Sequence, residues 1–160
     1  TPYGESPVST AMGAYFNKKA YTDPALRRKY TRMGFWVNIR LIRYPDVLLM
    51  AAESANEKGL MGEASGYLEQ VRAHARGTLT NVLPKVESLD QSVLREAIRH
   101  ERRVELGLEP DRFYDLVRWG IAQEVLQAAG KNYQPKNALL PLPQTEIDKS
   151  NGVLIQNPDY

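Results

Sequence analysis

The densest group of charged side chains in this sequence lies between positions 101 and 118. Its members are Glu101, Arg102, Arg103, Glu105, Asp111, Arg112, Asp115 and Arg118. Glu101 and Glu105 are four positions apart, so a helical segment would place both carboxylates on one face. Two carboxylates can hydrolyse a glycosidic bond, one as general acid and the other as base or nucleophile, when a cleft separates them suitably. The spacing therefore permits a glycoside hydrolase that uses Glu101 and Glu105.

A structural interpretation of the same residues is favoured on physical grounds. Glu101 and Glu105 would pair with Arg112 and Arg118 of the next helix, and Asp115 would join this predicted ion-pair network. A planar guanidinium group binds a carboxylate through two parallel hydrogen bonds, and a buried Glu without such a partner is costly. We therefore expect a rigid scaffold without catalytic residues, and so a protein that is not an enzyme.

The sequence lacks the usual patterns for metal and cofactor chemistry. It contains no cysteine, which excludes disulfides, thiolate catalysis and metal sites built from Cys. His100 and Glu101 begin like the helix motif of zinc proteases, but Val104 stands where that motif has its second His. Phosphate loops, dinucleotide-binding glycine patterns and nucleophile elbows are also missing. We predict no metal and no cofactor.

Aromatic residues near the N-terminus could contribute to a ligand site. Sugar rings stack on aromatic faces, and ligand sites combine apolar surface with a few polar groups. Phe35 is better explained by core packing. Trp36 points to the opposite side if this segment is a strand, which makes it the candidate ligand-binding residue. The remaining ligand-binding residues are unknown from the sequence.

Length and charge narrow the class of protein. The chain has 160 residues, enough for one domain with its own core. Its formal net charge of +2 argues against a nucleic-acid binder with a broad basic surface. No stretch approaches the roughly 18–20 apolar residues that cross a bilayer. Residues 1–10 lack the pattern of a signal peptide, which fits a processed or truncated chain as well as a cytoplasmic one.

Three regions follow one another along the chain. Residues 1–42 are predicted to be irregular, apart from a short strand where apolar residues occupy every second position from 35 to 41. Residues 43–130 are predicted to be helical. Residues 131–160 are predicted to form an extended tail, with a short helical turn after Pro143.

The helical region should contain four helices, with recognisable ends. They are predicted over about 46–57, 62–75, 91–106 and 111–129. Pro45 suits the start of the first helix because its missing N–H costs nothing in the first turn. The third helix is capped either by a box of Ser88 and Gln91 or by Asp90. Gly120 inside the fourth helix indicates a kink or a close contact.

The first two helices have a short connection and should pack as an antiparallel hairpin. Their predicted buried residues are Val47, Leu48, Ala51, Ala52, Ala55, Ala64, Leu68, Val71 and Ala75. Leu48, Ala52, Ala64 and Leu68 lie near the packing positions of a tetratricopeptide repeat, although a single helical hairpin explains much of that match.

The third and fourth helices each show one apolar face. On the third helix this face is formed by Leu94, Ala97, Ile98 and Val104, and Glu101 falls inside it. On the fourth helix the inner face is predicted to contain Phe113, Leu116, Val117, Ile121 and Leu126. The acidic Glu101 within an apolar stripe is the reason to expect a buried ion pair.

Three separated segments resemble the SusD/RagB family in the same order. Residues 38–59 read NIRLIRYPDVLLMAAESANEKG and resemble the family's helix-entry signature. Residues 94–120 read LREAIRHERRVELGLEPDRFYDLVRWG and resemble its most recognisable stretch. Residues 139–160 read LLPLPQTEIDKSNGVLIQNPDY and resemble its closing segment. Because family members are several hundred residues long, 1–160 resemble the C-terminal portion of a SusD/RagB-like domain.

The resemblance implies a fold and a biological role. The fold would be mainly α and SusD-like, with a tetratricopeptide-like helical hairpin, a short strand and long irregular segments. The protein would bind oligosaccharides, or peptides as some family members do, without catalysis at the outer surface of Gram-negative bacteria, beside a SusC-like TonB-dependent transporter. Nucleic acid is not an expected partner. Membrane attachment is expected only through a lipid anchor that this chain does not contain.

Overall fold

A computed structural model describes residues 17–23, 25, 38 and 40–160. Within 40–160 it contains six α-helices and no strand. They are α1 (Tyr44–Glu57), α2 (Met61–Arg76), α3 (Gln91–Glu105), α4 (Asp111–Arg118), α5 (Ala122–Ala128) and α6 (Gln144–Lys149). Two 3-10 turns span Lys18–Ala20 and Pro135–Ala138. The predicted mainly α fold class is confirmed.

The chain divides between Leu108 and Glu109 into two compact units, which are described separately below. The predicted strand over 35–41 lies largely outside the described residues. The candidate ligand-binding residue Trp36 also lies outside them. No helix in the described ranges combines the length and the apolar character needed to cross a membrane. The assignment of 1–160 to one larger domain stays a prediction.

The helices of the first unit begin where local chemistry favours a start. Pro45 lies in the first turn of α1, as its fixed φ and missing donor predict. Asp90 caps α3, because its Oδ1 accepts hydrogen bonds from the backbone N–H groups of Ser92 at 2.9 Å and Val93 at 3.0 Å. Of the two caps that the sequence left open for this helix, the Asp90 cap is the one that forms.

The core of the first unit lies between α1, α2 and α3. Leu49, Leu68, Leu94 and Ile98 are almost fully buried there, at 1% exposure or less. The four residues at tetratricopeptide-like spacing, Leu48, Ala52, Ala64 and Leu68, all belong to this one core. The helical hairpin of α1 and α2 is therefore closed by α3, which packs against both helices.

Three predicted core residues of the first unit are wrong, and the prediction misses two of its buried apolar residues, Leu49 and Leu106. Val47 is 44% exposed and Val104 is 58% exposed, and Ala75 is also exposed. Leu49 is fully buried instead, so the buried arc of α1 is rotated toward it and away from Val47. Val104 lies beside the buried line through Ile98 and Glu101 rather than on it. Apolar residues adjacent in sequence do not reveal which of them faces a neighbouring helix.

The predicted fourth helix is interrupted in the second unit. The helix α4 ends at Arg118 and α5 begins at Ala122, and between them Gly120 adopts a left-handed φ of +71°. The Gly120 N–H donates to Val117 O at 3.0 Å, and the Ile121 N–H donates to Leu116 O at 3.1 Å. These bonds form a Schellman motif, which ends a helix. Gly120 is thus a helix stop and not the predicted kink. The alternative of a close contact is not met either, because among the described residues no heavy atom beyond its chain neighbours lies within 4 Å of a Cβ placed on Gly120.

The core of the second unit is small and lies around the turn between α4 and α5. Leu116, Ala122 and Tyr133 are buried, with Ile121 among the partly buried residues that pack against them. Phe113, which we predicted to face inward, is 37% exposed and contacts Tyr133 edge-on at 6.2 Å between ring centroids.

The C-terminal tail is fixed by side chains rather than by a β-ladder. The Gln156 amide group donates to Leu142 O at 2.9 Å and accepts from Leu142 N at 2.8 Å. The Tyr160 hydroxyl donates to Leu139 O at 2.9 Å. The short helix α6 follows Pro143, where the sequence predicted a turn of helix.

Candidate functional site

The acidic residue inside the apolar stripe of α3 is buried and paired. The Glu101 side chain is 4% exposed, and its Oε2 accepts a hydrogen bond from Arg72 Nη1 of α2 at 2.6 Å. The other terminal nitrogen of Arg72 donates to Pro84 O at 2.9 Å. Since Arg72 is itself only 12% exposed at its side chain, this is a largely desolvated ion pair between α2 and α3.

A second buried ion pair connects α3 with α1. Arg102 Nη1 donates to Asp46 Oδ1 at 2.8 Å, and the two side chains are 5% and 11% exposed. Asp46 also lies in the first turn of α1, where the positive end of the helix dipole favours a carboxylate. Glu101 thus binds a positive group on α2, and its neighbour Arg102 binds a negative group on α1.

The C-terminal end of α3 receives several donors from the segment that precedes α1. Arg43 Nη1 donates to the Glu105 carboxylate at 2.9 Å, and Arg43 Nη2 donates to the Glu105 carbonyl at 2.9 Å. The same carbonyl accepts from the ammonium group of Lys19, and Asn17 Nδ2 donates to Leu108 O at 3.0 Å. Positive groups are favourable here because the last carbonyls of a helix carry partial negative charge.

The opposite end of α3 is held by exposed groups. Arg95 forms a bidentate pair with Glu57 of α1, at 2.6 Å and 2.8 Å. The hydrogen bond from Arg95 lowers the pKa of Glu57. At the cap, the hydrogen bond from the Ser92 hydroxyl is the main reason why the pKa of Asp90 is lowered. Buried Asn56 adds a reciprocal contact, because its amide donates to Gln91 O while Gln91 Nε2 donates to Asn56 O.

The predicted network residues of the second unit form their own cluster. Arg118 Nε donates to Asp115 Oδ1 at 3.0 Å, and the Asp115 side chain is 6% exposed. The guanidinium groups of Arg118 and Arg112 lie 4.9 Å and 5.8 Å from the centre of the Trp119 ring, within cation–π range. Arg112 and Arg118 therefore lie close to the Trp119 ring at the C-terminal end of α4, and Asp115 pairs with Arg118.

Guanidinium groups hold the carboxylates of Glu101 and Glu105 on α3, but they come from other elements than the sequence predicts. Arg72 and Arg43 hold Glu101 and Glu105, and sequence reasoning did not identify either arginine. Arg72 follows the core residue Val71 on α2, and that position could have suggested a cation at the rim of the core. The predicted link from the α3 acids to Arg112 and Arg118 would join the two units, and it stays a prediction.

This geometry bears on the chemistry that the carboxylates can perform. A general acid or base must reach the substrate and exchange protons with it. Glu101 is buried and salt-bridged, and Glu105 is bonded to Arg43. Glu101 therefore lacks the open surroundings that glycoside hydrolysis requires, whereas the Glu105 side chain is 22% exposed but is paired with Arg43. Among the described residues, no group of three or more His, Asp or Glu side chains is placed to hold a metal ion.

The second unit has a shallow cleft beside the turn at Gly120. Its volume is about 170 Å³. Its lining residues are Val117, Gly120, Ala122, Gln123, Tyr133, Pro135 and Ala138. Ligand pockets typically enclose about 300–1,000 Å³, so this cleft is smaller than the usual site for an oligosaccharide.

Comparison with known proteins places this scaffold in a family. The family model described as "SusD family" matches residues 1–160. The chain belongs to the SusD family. A crystal structure of a SusD homolog from Bacteroides thetaiotaomicron superposes with a TM-score of 0.68 at 29% identity, over 83% of this chain and 30% of that one. The SusD-like resemblance inferred from the three sequence segments is confirmed.

Relatives from Formosa agariphila extend the comparison of this SusD-family chain. SusD-like protein P25 is 39% identical over 153 residues, which cover 91% of this chain and 27% of the relative. SusD-like protein P2 is 36% identical over 127 residues, which cover 74% of this chain and 25% of the relative. The chain thus spans about a quarter of the length of the curated relatives it matches.

Proposed function

We propose that the protein binds oligosaccharides at the cell surface, without catalysis, and works with a SusC-like TonB-dependent outer-membrane transporter. The match of the SusD family model to residues 1–160 is the observation that carries this proposal. The full protein would be held at the outer membrane by a lipid anchor. Within it, the described helices would form a rigid scaffold.

The ion pairs of α3 support the scaffold role. Buried Glu101 and Arg102 attach α3 to α2 and to α1, and the bidentate pair of Arg95 with Glu57 adds a contact at the other end of the helix. A binding protein needs groups that keep a surface in one shape, and buried charge pairs with defined geometry can specify one packing arrangement. A hydrolase would instead need a carboxylate that is free to transfer a proton.

The transporter partnership can be tested in the bacterium that encodes the chain. An affinity tag is added to the chromosomal gene, and the protein is purified from detergent-solubilised outer membranes. We expect a TonB-dependent transporter to co-purify in roughly equal amount, and an equally abundant tagged outer-membrane lipoprotein serves as the control. Recovery of the tagged protein in the cytoplasmic fraction without a transporter would contradict the proposal.

Ligand binding is tested by thermal unfolding in a panel of neutral, acidic and sulfated oligosaccharides. A ligand that binds the folded state raises Tm by mass action, and about 100 times Kd of ligand contributes about 2.7 kcal/mol. We expect Trp36→Ala to remove the shift. Tyr114→Ala is the matched control, because Tyr114 is an aromatic residue of α4 whose side chain is 68% exposed.

The alternative of a glycoside hydrolase is tested on the same panel. New reducing ends are measured after incubation with the wild-type protein and with Glu101→Gln and Glu105→Gln variants. We expect no reducing ends from any of the three proteins. Release by the wild type that both variants abolish would establish the hydrolase and refute the binding protein without catalysis. A purely structural helical module is the remaining alternative, and it predicts that no glycan changes Tm.

A further inference from the structure

We propose that Asn151 is a site of spontaneous deamidation, through a cyclic imide that forms with the backbone nitrogen of Gly152. These two residues are the only Asn–Gly pair in the 160-residue sequence. They directly follow Ser150, the residue that caps the C-terminal end of α6. The proposal does not depend on the proposed binding function.

The backbone at this pair is exposed, and the space around Gly152 is not crowded. Asn151 has a left-handed φ of +52° and Gly152 a φ of +85°, and both residues are exposed. Apart from Gly152 and its two chain neighbours, no heavy atom of the described residues lies within 4 Å of the position that a Cβ on Gly152 would take. Because Gly152 has no side chain, its nitrogen can approach the Asn151 side chain without steric hindrance.

The attacking nitrogen is not engaged in the hydrogen bonding of the turn. The N–H groups on either side are bonded, since Asn151 N–H donates to Asp148 O at 3.4 Å and Val153 N–H donates to Ser150 O at 3.2 Å. Across residues 40–160 the structure shows no acceptor for the Gly152 N–H. Its proton is therefore available to hydroxide or buffer base, and proton loss makes this nitrogen a nucleophile.

Asn137 provides an internal contrast on the same unit. Its Oδ1 accepts a hydrogen bond from Gln134 N at 2.8 Å, and its Nδ2 donates to the Tyr160 hydroxyl at 3.3 Å. These bonds restrain the carboxamide, and Ala138 adds a Cβ that hinders attack on it. Asn137 should therefore react much more slowly than Asn151.

The reaction consumes only water and releases ammonia. The deprotonated Gly152 nitrogen attacks Cγ of Asn151, so that the N–Cγ bond forms and the Cγ–Nδ2 bond breaks. The departing nitrogen takes up one proton from the protonated base and leaves as ammonia, and a five-membered imide remains in the backbone. Water then opens the imide at one of its two carbonyl groups, which gives aspartate or isoaspartate. No oxidant, reductant or cofactor takes part.

The product changes both charge and backbone near α6. One negative charge is added to a chain whose formal net charge is +2. That charge lies just beyond the C-terminal end of α6, where the helix dipole disfavours it. Isoaspartate also lengthens the backbone before Val153, within the segment that leads to the Gln156 bridge.

The test incubates the folded chain in mildly alkaline buffer and maps peptides by mass spectrometry. Deamidation replaces an amide by a carboxyl group and adds about 1 Da. We expect this gain in the peptide that contains Asn151, split between aspartate and isoaspartate forms, with one equivalent of ammonia released. Asn151→Gln should abolish both the mass gain and the ammonia, because a glutamine would need a larger ring.

Each outcome decides the matter. A peptide that retains Asn151 while the protein stays folded by circular dichroism would overturn the proposal. Equal rates at Asn137 and Asn151 would also overturn it, because the bonded carboxamide and the open one would then not differ. A mass gain confined to Asn151, and lost in Asn151→Gln, would support it.

Discussion

Removal of Arg72 tests whether α3 depends on charge neutralisation inside the first unit. The Arg72→Met substitution keeps an unbranched apolar side chain but leaves Glu101 without its partner. Glu101 is 4% exposed at its side chain and accepts the 2.6 Å hydrogen bond from Arg72. Breaking a buried pair by removing one partner typically costs about 3–5 kcal/mol, because the remaining charge is left desolvated. We expect a loss of that size in the free energy of unfolding.

The reverse substitution should be less damaging. Glu101→Met places an apolar side chain on the apolar stripe of α3, beside Ile98. Arg72 would keep its hydrogen bond to Pro84 O, and its long side chain could move its charged end toward solvent. The double variant should recover most of the stability lost in Arg72→Met, because replacing both members of a buried ion pair by apolar residues is often neutral or stabilising.

The chain offers a matched control for this cycle. Arg95 and Glu57 also approach to 2.6 Å, but their side chains are 30% and 48% exposed. Arg95→Met should change stability little, because exposed ion pairs are solvated and screened by salt. All four variants are compared by urea unfolding, followed by far-UV circular dichroism. A loss in Arg72→Met no larger than that in Arg95→Met would refute the argument that burial makes the Arg72 pair essential.

Three further predictions concern the ends of α3 and the tail. Asp90→Ala should lower Tm while Asp90→Asn preserves it, since Asn caps a helix as well as Asp does. Equal losses of Tm in the two variants would contradict the capping role of Asp90. The hydrogen bond from Arg95 lowers the pKa of Glu57, so the stability that this pair contributes is present at neutral pH and is lost as pH falls through the lowered pKa. Glu57→Gln should flatten that part of the pH–stability curve. An unchanged curve would contradict the linkage between this pKa and stability. Gln156→Ala should speed amide hydrogen exchange at Leu142, because the Gln156 side chain accepts a hydrogen bond from the Leu142 N–H at 2.8 Å. Unaltered exchange at Leu142 would contradict this bridge.

Elements with local causes were accessible from the sequence. The start of α1 at Pro45 and the cap of α3 at Asp90 depend on residues within one turn of the helix end. The extents of the first three helices were predicted to within about two residues, because helix periodicity is a local signal. The expectation that Glu101 needs a cationic partner was local too, since it followed from one acidic residue in an apolar stripe.

The identity of the partners depended on packing between distant elements. Arg72 is 29 positions from Glu101, and Arg43 is 62 positions from Glu105. Any of several arginines in the sequence could have supplied the guanidinium group. The choice is made when α1, α2 and α3 close around their core and bring particular side chains within hydrogen-bonding distance.

The sequence by itself determined the helical class, the helix starts and the presence of a charge that needs neutralising, because these follow from periodicity, capping chemistry and desolvation. Tertiary structure alone decided that Leu49 rather than Val47 is buried. It also decided which arginine binds each carboxylate. The physical reason is that burial and ion pairing depend on which helix faces pack against each other. Helices that are far apart in the sequence determine that packing together.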